Sequence, residues 1–316
     1  MSKVSICMPC HNAAAYVAAA LDSVLAQTWS SIEIIVVNDG STDDSGAILD
    51  GYVPKGVRVI HERLGSASKA RNRAAAAATG DYIKFFDADD LLSPRHIELQ
   101  MERLAGRRDA IAISEWGRFY HDDPATFRED RQSVRRDMDA GDWLVEALRD
   151  ARPMMQPGMF LIPRAVYEAS GGWDEELSLI DDFEFFCRVL CRAEEILFTP
   201  GATLLYRSGL DGSLSGRKSR KAVESAYHSL LRGTGHLIAR RSDQAARVAC
   251  ANMLQDFIYT YYPEHADLRA AIAKRVAELG GSDLSPDGPP RFLKLRRLIG
   301  WKAARRVQNL VSARPA

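Results

Sequence analysis

The chain of 316 residues carries 42 basic and 42 acidic side chains and is 46% hydrophobic, with a mean hydropathy of -0.22. That balance predicts a soluble α/β protein with one large domain and an appendage and speaks against intrinsic disorder and bulk nucleic-acid binding. No apolar run approaches the roughly 18 or more residues of a membrane span. The charge is uneven, because residues 291–316 hold eight basic groups and no acid, which leaves a net charge of -8 on the remainder and marks the tail for an anionic surface.

Val4-Ser5-Ile6-Cys7-Met8 reads as a first strand beginning almost at the N-terminus, in place of a signal peptide, so a cytoplasmic location is expected. Pro9-Cys10-His11-Asn12 then turns into an amphipathic helix with apolar positions Val17, Leu21, Val24 and Leu25, and Asn12 is its expected N-cap. Five cysteines do not suit a secreted disulfide framework. Cys7 and Cys10 match C-x-x-C, yet Cys7 falls inside the strand and is expected in the core. The alternative left open is a redox pair, or a four-thiolate zinc site completed by Cys187 and Cys191.

Ile32 to Val37 is a second strand ending at Asn38-Asp39-Gly40-Ser41-Thr42, where Ser41 or Thr42 is expected to cap a helix running to about Gly51. Val57 to Ile60 is a third strand, followed by a helix from Ser66 to Ala78 that contains Lys69, Arg71 and Arg73. Strand, helix, strand, helix is the rhythm of a parallel sheet. Tyr82 to Phe86 is the next strand and ends in Asp87-Ala88-Asp89-Asp90. If the extended backbone continues, Asp87 and Asp89 point the same way and repel unless a hard cation lies between them, as Mg2+ held by carboxylates and substrate phosphates would. The loops at Pro9–Asn12, Asn38–Ser41 and Asp87–Asp90 are expected on one sheet edge, where open α/β sheets bind ligands. No G-x-G-x-x-G follows the first strand, and no phosphate loop of the G-x-x-x-x-G-K type occurs.

Ser5 to Asn12, Ile35 to Asp43, Ala70-Arg71-Asn72 and Phe86 to Asp90 together resemble, in order and spacing, the family 2 glycosyltransferases of the GT-A fold. The resemblance covers roughly residues 3–215. It implies an α/β fold with a mostly parallel sheet flanked by helices. It further implies that Pro9, Cys10, His11, Asn12, Asp39 and Gly40 hold the nucleoside, with His11 in place of a frequent Tyr, and that Arg71 lies near base and phosphates. Asp87 would contact the ribose or a metal-bound water, and Asp89 would ligate Mn2+ or Mg2+ directly. Asn38 stands where many members have Asp, removing one charge from the nucleoside pocket.

Further along, Asp109 to Ile113 is expected as a strand, Asp142 to Arg149 as a helix, and Met154 to Arg164 as a loop and strand leading into a helix near Pro163. Gly171-Gly172-Trp173-Asp174-Glu175 resembles the family's acceptor-cleft turn, the alternative being a tight turn with Trp173 as a core plug. Asp181 and Asp182 open a helix with the apolar face Phe183, Phe186, Val189 and Leu190. They resemble the family's Glu-Asp motif, which makes Asp182 the catalytic base and Asp181 its acidic neighbour, with the helix dipole helping to keep Asp182 ionised. Tyr206-Arg207, followed by Gly212-Ser213-Leu214-Ser215, looks like the segment that closes over the diphosphate. Ser208-Gly209-Leu210 replaces the His metal ligand of related enzymes.

Helices are expected over roughly 220–240, 242–261 and 265–279. This gives a catalytic domain at 1–217, a helical accessory region at 218–290 and a basic amphipathic tail at 291–316. In the tail Phe292, Leu295, Ile299, Ala303, Val307 and Leu310 form one apolar stripe, suited to peripheral attachment at an anionic membrane or to packing on protein. The expected function is inverting, metal-dependent transfer of a sugar from a nucleotide-diphosphate donor, a UDP-sugar foremost, to a saccharide or lipid-linked saccharide hydroxyl in cell-surface polysaccharide synthesis. Oligomerisation is left open. The rivals are a nucleotide-sugar-binding protein without turnover, for which the missing His and Asp181 speak, and a sugar-nucleotide pyrophosphorylase, whose Gly-rich basic first loop is absent.

Overall fold

The computed structural model describes residues 2–209 and 219–312. Four short runs of apolar and β-branched residues with interspersed polar ones, β1 (Val4–Cys10), β2 (Ile32–Asp39), β3 (Val57–Glu62) and β4 (Tyr82–Phe85), pair in parallel in the order β3-β2-β1-β4. The connections are α1 (Val17–Leu25), α2 (Ser45–Asp50) and α3 (Ala67–Ala77). Ile34, Ile35, Val36 and Val37 are all buried, as expected of a strand covered on both faces. Because β1, β2 and β4 run in parallel, the three loops that follow them leave the same edge of the sheet.

Beyond β4 the sheet continues through β9 (Phe160–Pro163), β6 (Ala110–Tyr120), β10 (Glu195–Arg207) and β5 (Leu91–Leu92). β9 is antiparallel to both β4 and β6, whereas β6 and β10 are parallel. β7 (Asp123–Glu129) folds back on β6, and β8 (Met138–Asp139) borders the start of β10. The remaining helices of this half are α4 (His96–Leu104), α5 (Ala140–Leu148), α6 (Arg164–Ser170) and α7 (Asp181–Leu190). Under the central strands lies an aromatic stack. Trp173 and Phe185 are parallel at 4.0 Å, with Phe85 edge-on to both at 5.3 and 5.4 Å, an arrangement that adds to area burial.

Several local expectations are corrected. Asn12 does not cap α1. Its backbone is left-handed (φ 49°) and its Oδ1 accepts the Thr42 N–H at 2.8 Å, so the chain stays in a loop until Val17. Leu25 is 38% exposed at the helix end. α2 starts at Ser45 because Asp43 Oδ1 takes the Ser45 N–H at 3.0 Å, while Ser41 Oγ is used by the Asn12 N–H. β4 stops at Phe85, and residues 87–90 form a turn closed by Asp90 N–H to Asp87 O. The extended alternation of Asp87 and Asp89 is therefore lost.

Cys7 is in the core as expected, but the four-thiolate alternative fails. All five thiols are free, burial pushes Cys10 up to about 11, and no group of three His, Cys, Asp or Glu converges among the described residues.

The helical region follows the expected spans closely, as α8 (Arg220–Arg240), α9 (Gln244–Thr260) and α10 (Ala266–Glu278). Its boundary is one of element type and not of packing, since a single apolar cluster runs from Val4 to Leu279. α8 presses on α7 so closely that a Cβ at Gly233 would lie 2.5 Å from Phe183. Two hydroxyls of α8 also fix the turn before α7: Ser225 Oγ accepts the Ser178 and Leu179 N–H groups at 2.8 and 3.0 Å, and Ser229 Oγ donates to Ile180 O at 2.6 Å.

In the tail, α11 (Pro290–Ser312) is broken at Gly300 (φ 77°, ψ 157°), a conformation that glycine adopts without a Cβ clash. The expected continuous stripe is therefore split. Phe292 is buried, Trp301 packs edge-on against Tyr259 and Tyr262 at 4.9 and 5.0 Å, and Leu310 is exposed. None of these helices is long and apolar enough to cross a membrane.

Candidate functional site

The loops after β1 and β2 are zipped together by their own polar groups. His11 Nδ1 donates to Asp39 O at 2.7 Å, Asn12 N–H reaches Ser41 Oγ at 3.0 Å, and Ala13 N–H reaches Ser45 Oγ at 2.8 Å. Pro9 is half-buried and Cys10 is buried beneath this seam, while the His11 ring is exposed. Asp39 accepts the backbone N–H groups of Leu64, Gly65 and Ser66, and so holds the turn that opens α3. Gly40 (φ 63°) leaves room for Arg63, whose Cγ would lie 2.5 Å from a Cβ there. Asn38 bridges Ser41 N–H and His61 Nδ1, and His61 Nε2 in turn contacts Asp50 at 2.9 Å.

Arg71 stands at the centre of the site. Its Nη2 pairs with Asp87 at 2.8 Å, its Nη1 pairs with Asp181 at 3.1 Å, and its guanidinium lies 4.3 Å above the Trp173 ring. Burial alone would lower Arg71, but Asp87 and Asp181 outweigh it and keep the group charged. One side chain thus ties the acid turn after β4 to the acidic start of α7. Trp173 is 3% exposed, so it is the floor beneath Arg71 and not a surface for an acceptor. Asn72 fastens the same turn, accepting the Trp173 N–H at 2.7 Å and donating to Trp173 O at 2.9 Å.

The three acids of the turn have separate environments. Asp87 is shared between Arg71 and Gln156. Asp90 is fully buried and receives the Arg207 N–H at 2.9 Å and the Gln156 amide. Burial, with Asp89 and Asp87 adding, raises Asp90 well above the carboxylate range. Burial and the Asp87 charge push Asp89 up to about 6.

A carboxylate destabilised in this way beside a second one suits a hard cation. Two carboxylates of this kind could serve an ion that takes one or two carboxylates and completes its shell with phosphates and water.

Across Arg71, Asp181 is held by Ser68 Oγ at 2.7 Å as well as by the guanidinium. Asp182 accepts the Phe183 N–H at 2.8 Å, and burial and the Asp181 charge push it up to about 7. Burial and the like charge of Asp181 work against the ionised form that the helix end favours. Asp181 is committed to Arg71, whereas Asp182 is poised near neutrality.

On the far side of the acid turn, Arg207 is clamped by Asp89 O, at 2.6 Å, and by Asp122, between the rings of Tyr16 and Phe119. Tyr206 is half-buried under Arg118 at 5.0 Å, and Arg118 also bonds Ser208 at 2.9 Å. Residues Gly212 to Ser215 and Leu210 lie outside the described residues.

Sequence reasoning missed Gln156, Ser68 and Arg118 as site residues. Gln156 carried one usable signal, a polar side chain directly before Pro157-Gly158 in an apolar run. Its Oε1 takes the Gly158 N–H at 2.6 Å while its Nε2 serves Asp87 and Asp90. Gln156→Leu is expected to strip the Gly158 N–H of its side-chain acceptor, to take one donor each from Asp87 and Asp90, and so to lower stability by about 1–3 kcal/mol. Urea unfolding measures this, and a midpoint equal to that of the parent protein would contradict the role.

The profile of "Glycosyl transferase family 2" matches residues 5–171, just over half of the chain. Among curated proteins, the uncharacterized glycosyltransferase EpsJ of Bacillus subtilis is 32% identical over 213 residues, covering 65% of this chain and 60% of EpsJ. Glycosyltransferase GlyG of Streptococcus pneumoniae is 35% identical over 123 residues, covering 38% of this chain and 40% of GlyG. The matches thus span less than two thirds of those relatives' lengths. Among solved structures, TarS of S. aureus in complex with UDP superposes with a TM-score of 0.65 at 18% identity, covering 87% of each chain. Residues 1-349 of TarS in complex with UDP-GlcNAc give a TM-score of 0.63 at 18% identity, covering 88% of this chain and 89% of that one. At that identity the likeness concerns the fold, a mixed α/β sheet with C-terminal helices.

Proposed function

This chain belongs to glycosyl transferase family 2, and from that premise we propose that it moves a sugar from a nucleotide-diphosphate donor, a UDP-sugar foremost, to a hydroxyl of a saccharide or lipid-linked saccharide acceptor, inverting the anomeric centre. The supporting observation is the Arg71 bridge, which sets the acid turn beside a carboxylate raised to about 7. The UDP and UDP-GlcNAc complexes of TarS support the choice of donor.

In this reading the donor diphosphate lies over the turn at Asp87–Asp90, with the nucleoside against the seam of His11, Asn12 and Asp39. Asp89, with Asp87 beside it, would hold Mn2+ or Mg2+, which supplies a Lewis acid to the departing diphosphate. Asp182 takes the proton from the acceptor hydroxyl as its oxygen attacks the anomeric carbon. The new C–O bond forms on the face opposite the one that breaks, so one displacement inverts the centre. A group near pH 7 is suited to that transfer, since it is available as a base and still strong enough to accept a proton. Asp181 and Ser68 keep Arg71 in place between the two halves. The proposed setting is the cytoplasmic synthesis of cell-surface polysaccharide.

Asp89→Asn tests the metal assignment. Calorimetry with UDP is expected to show affinity that rises with manganese in the parent protein and loses that rise in the variant, by about tenfold or more, equivalent to about 1.4 kcal/mol. Unchanged manganese dependence would remove Asp89 from the metal site. Sugar release from a UDP-sugar by the purified protein separates a transferase from a binding protein without turnover.

A further inference from the structure

Seven basic residues and no acid lie between Arg291 and Arg306, and the fold engages three of them. Arg296 donates to Pro286 O, Arg305 donates to Asp287 O at 3.0 Å over the Phe292 ring, and Arg306 lies 5.5 Å over the Tyr262 ring. Trp301 is likewise held between Tyr259 and Tyr262. Arg291, Lys294, Arg297 and Lys302 remain exposed, with no carboxylate partner among the described residues.

Two leucines stand among these cations. Leu298 is 82% exposed and Leu310 is 72% exposed, the highest values among the large hydrophobic residues described. Before the break at Gly300, Arg291, Lys294 and Leu298 repeat at i, i+3 and i+7; after it, Lys302, Arg306 and Leu310 repeat at i, i+4 and i+8. Each half-helix therefore lines a leucine up with basic residues on one face, of which Arg306 also reaches the Tyr262 ring. This is not the stripe read from sequence, which includes the buried Phe292.

We propose that this outer face of α11 is a binding surface for an anionic lipid bilayer. Leu298 and Leu310 enter the headgroup boundary, and Arg291, Lys294, Arg297 and Lys302 meet lipid phosphates. Charge complementarity carries the choice of occupant. The surface offers cations in excess around a few exposed apolar side chains, Leu298 and Leu310 with Ile299 and Val307 beside them at 48% and 39% exposure, as an interfacial helix does. The proposal rests on α11 alone and is independent of the transfer chemistry.

Co-sedimentation of the full chain with phosphatidylcholine vesicles, with and without phosphatidylserine, tests it. The parent protein is expected to pellet with the anionic vesicles only, and less so as salt rises. Leu298→Ser combined with Leu310→Ser is expected to reduce partitioning by about tenfold or more, because burying one leucine is worth at least that factor. Arg291→Gln combined with Lys294→Gln and Arg297→Gln should abolish the preference for phosphatidylserine. All these positions are exposed, so the variants should keep the parent melting temperature. Equal recovery in the supernatant with both lipids, or an unaltered partition of the leucine variant, overturns the proposal. A concentration-dependent dimer that forms without lipid and is dispersed by the leucine variant also overturns it, by assigning the face to a second copy of the chain.

Discussion

Asp182→Asn is expected to fold and to bind a UDP-sugar as the parent protein does, yet to transfer sugar about 10² to 10⁴ times more slowly, the usual contribution of a general base. The parent rate should climb with pH and level off above about 7, where burial and Asp181 place the Asp182 ionisation; the variant should lose that inflection. The same perturbation gives stability the opposite pH trend. Since the folded protein holds this proton up to about pH 7 and the unfolded chain releases it near pH 4, folding binds a proton within that window. The contribution of Asp182 is fully present below pH 4 and is lost as pH rises through 7. Asp182→Asn carries no such titration, so above pH 7 its melting temperature should match or exceed that of the parent. A variant with full activity, or one that melts lower at pH 8, would remove Asp182 from the role of a buried base. If Asp181→Asn were the slow variant instead, with Asp182→Asn active, the base would be its neighbour.

Arg71→Met should cost about 3–5 kcal/mol, because it strips the shared counter-ion from two largely buried carboxylates and leaves them facing each other. Arg71 is 9% exposed and its partners Asp87 and Asp181 are 25% and 17% exposed, so solvent compensates little. Arg71→Lys should recover only part of the loss, since one ammonium cannot span two carboxylates as the planar fork does. Adding Asp181→Asn to Arg71→Met should restore some stability by removing the stranded charge. Urea denaturation of the four proteins reads these differences, and an Arg71→Met midpoint close to the parent value would show that the bridge does not hold the two halves together.

The sheet was legible because β1 to β4 are short runs with turn residues at their ends, and local pattern suffices for such strands. The acid cluster was legible as a motif but not as a geometry. Asp87 is turned by Arg71, sixteen residues upstream, and by Gln156, sixty-nine residues downstream, and no local rule reports partners at such separations. Asn12 misled for the converse reason: a good capping residue was claimed by Thr42 of another loop. The ionisation of Asp182 depends on burial, which helix position alone does not reveal. The broken tail could have been read, since Gly300 interrupts an otherwise periodic segment and such a glycine commonly marks a packing reason.

The grip of Ser225 and Ser229 on the turn before α7 has a consequence for the order in which a nascent chain can become active. Synthesis is vectorial, and segments fold as they emerge, N-terminal ones first. The strands and loops of the nucleoside side are complete once β4 has been made. The turn that leads into Asp181 and Asp182 gains its fixing hydroxyls only some forty to fifty residues after it has itself been made. A ribosome-bound intermediate can thus have a formed sheet while its base is not yet held, and a chain that stops before α8 is left in that state.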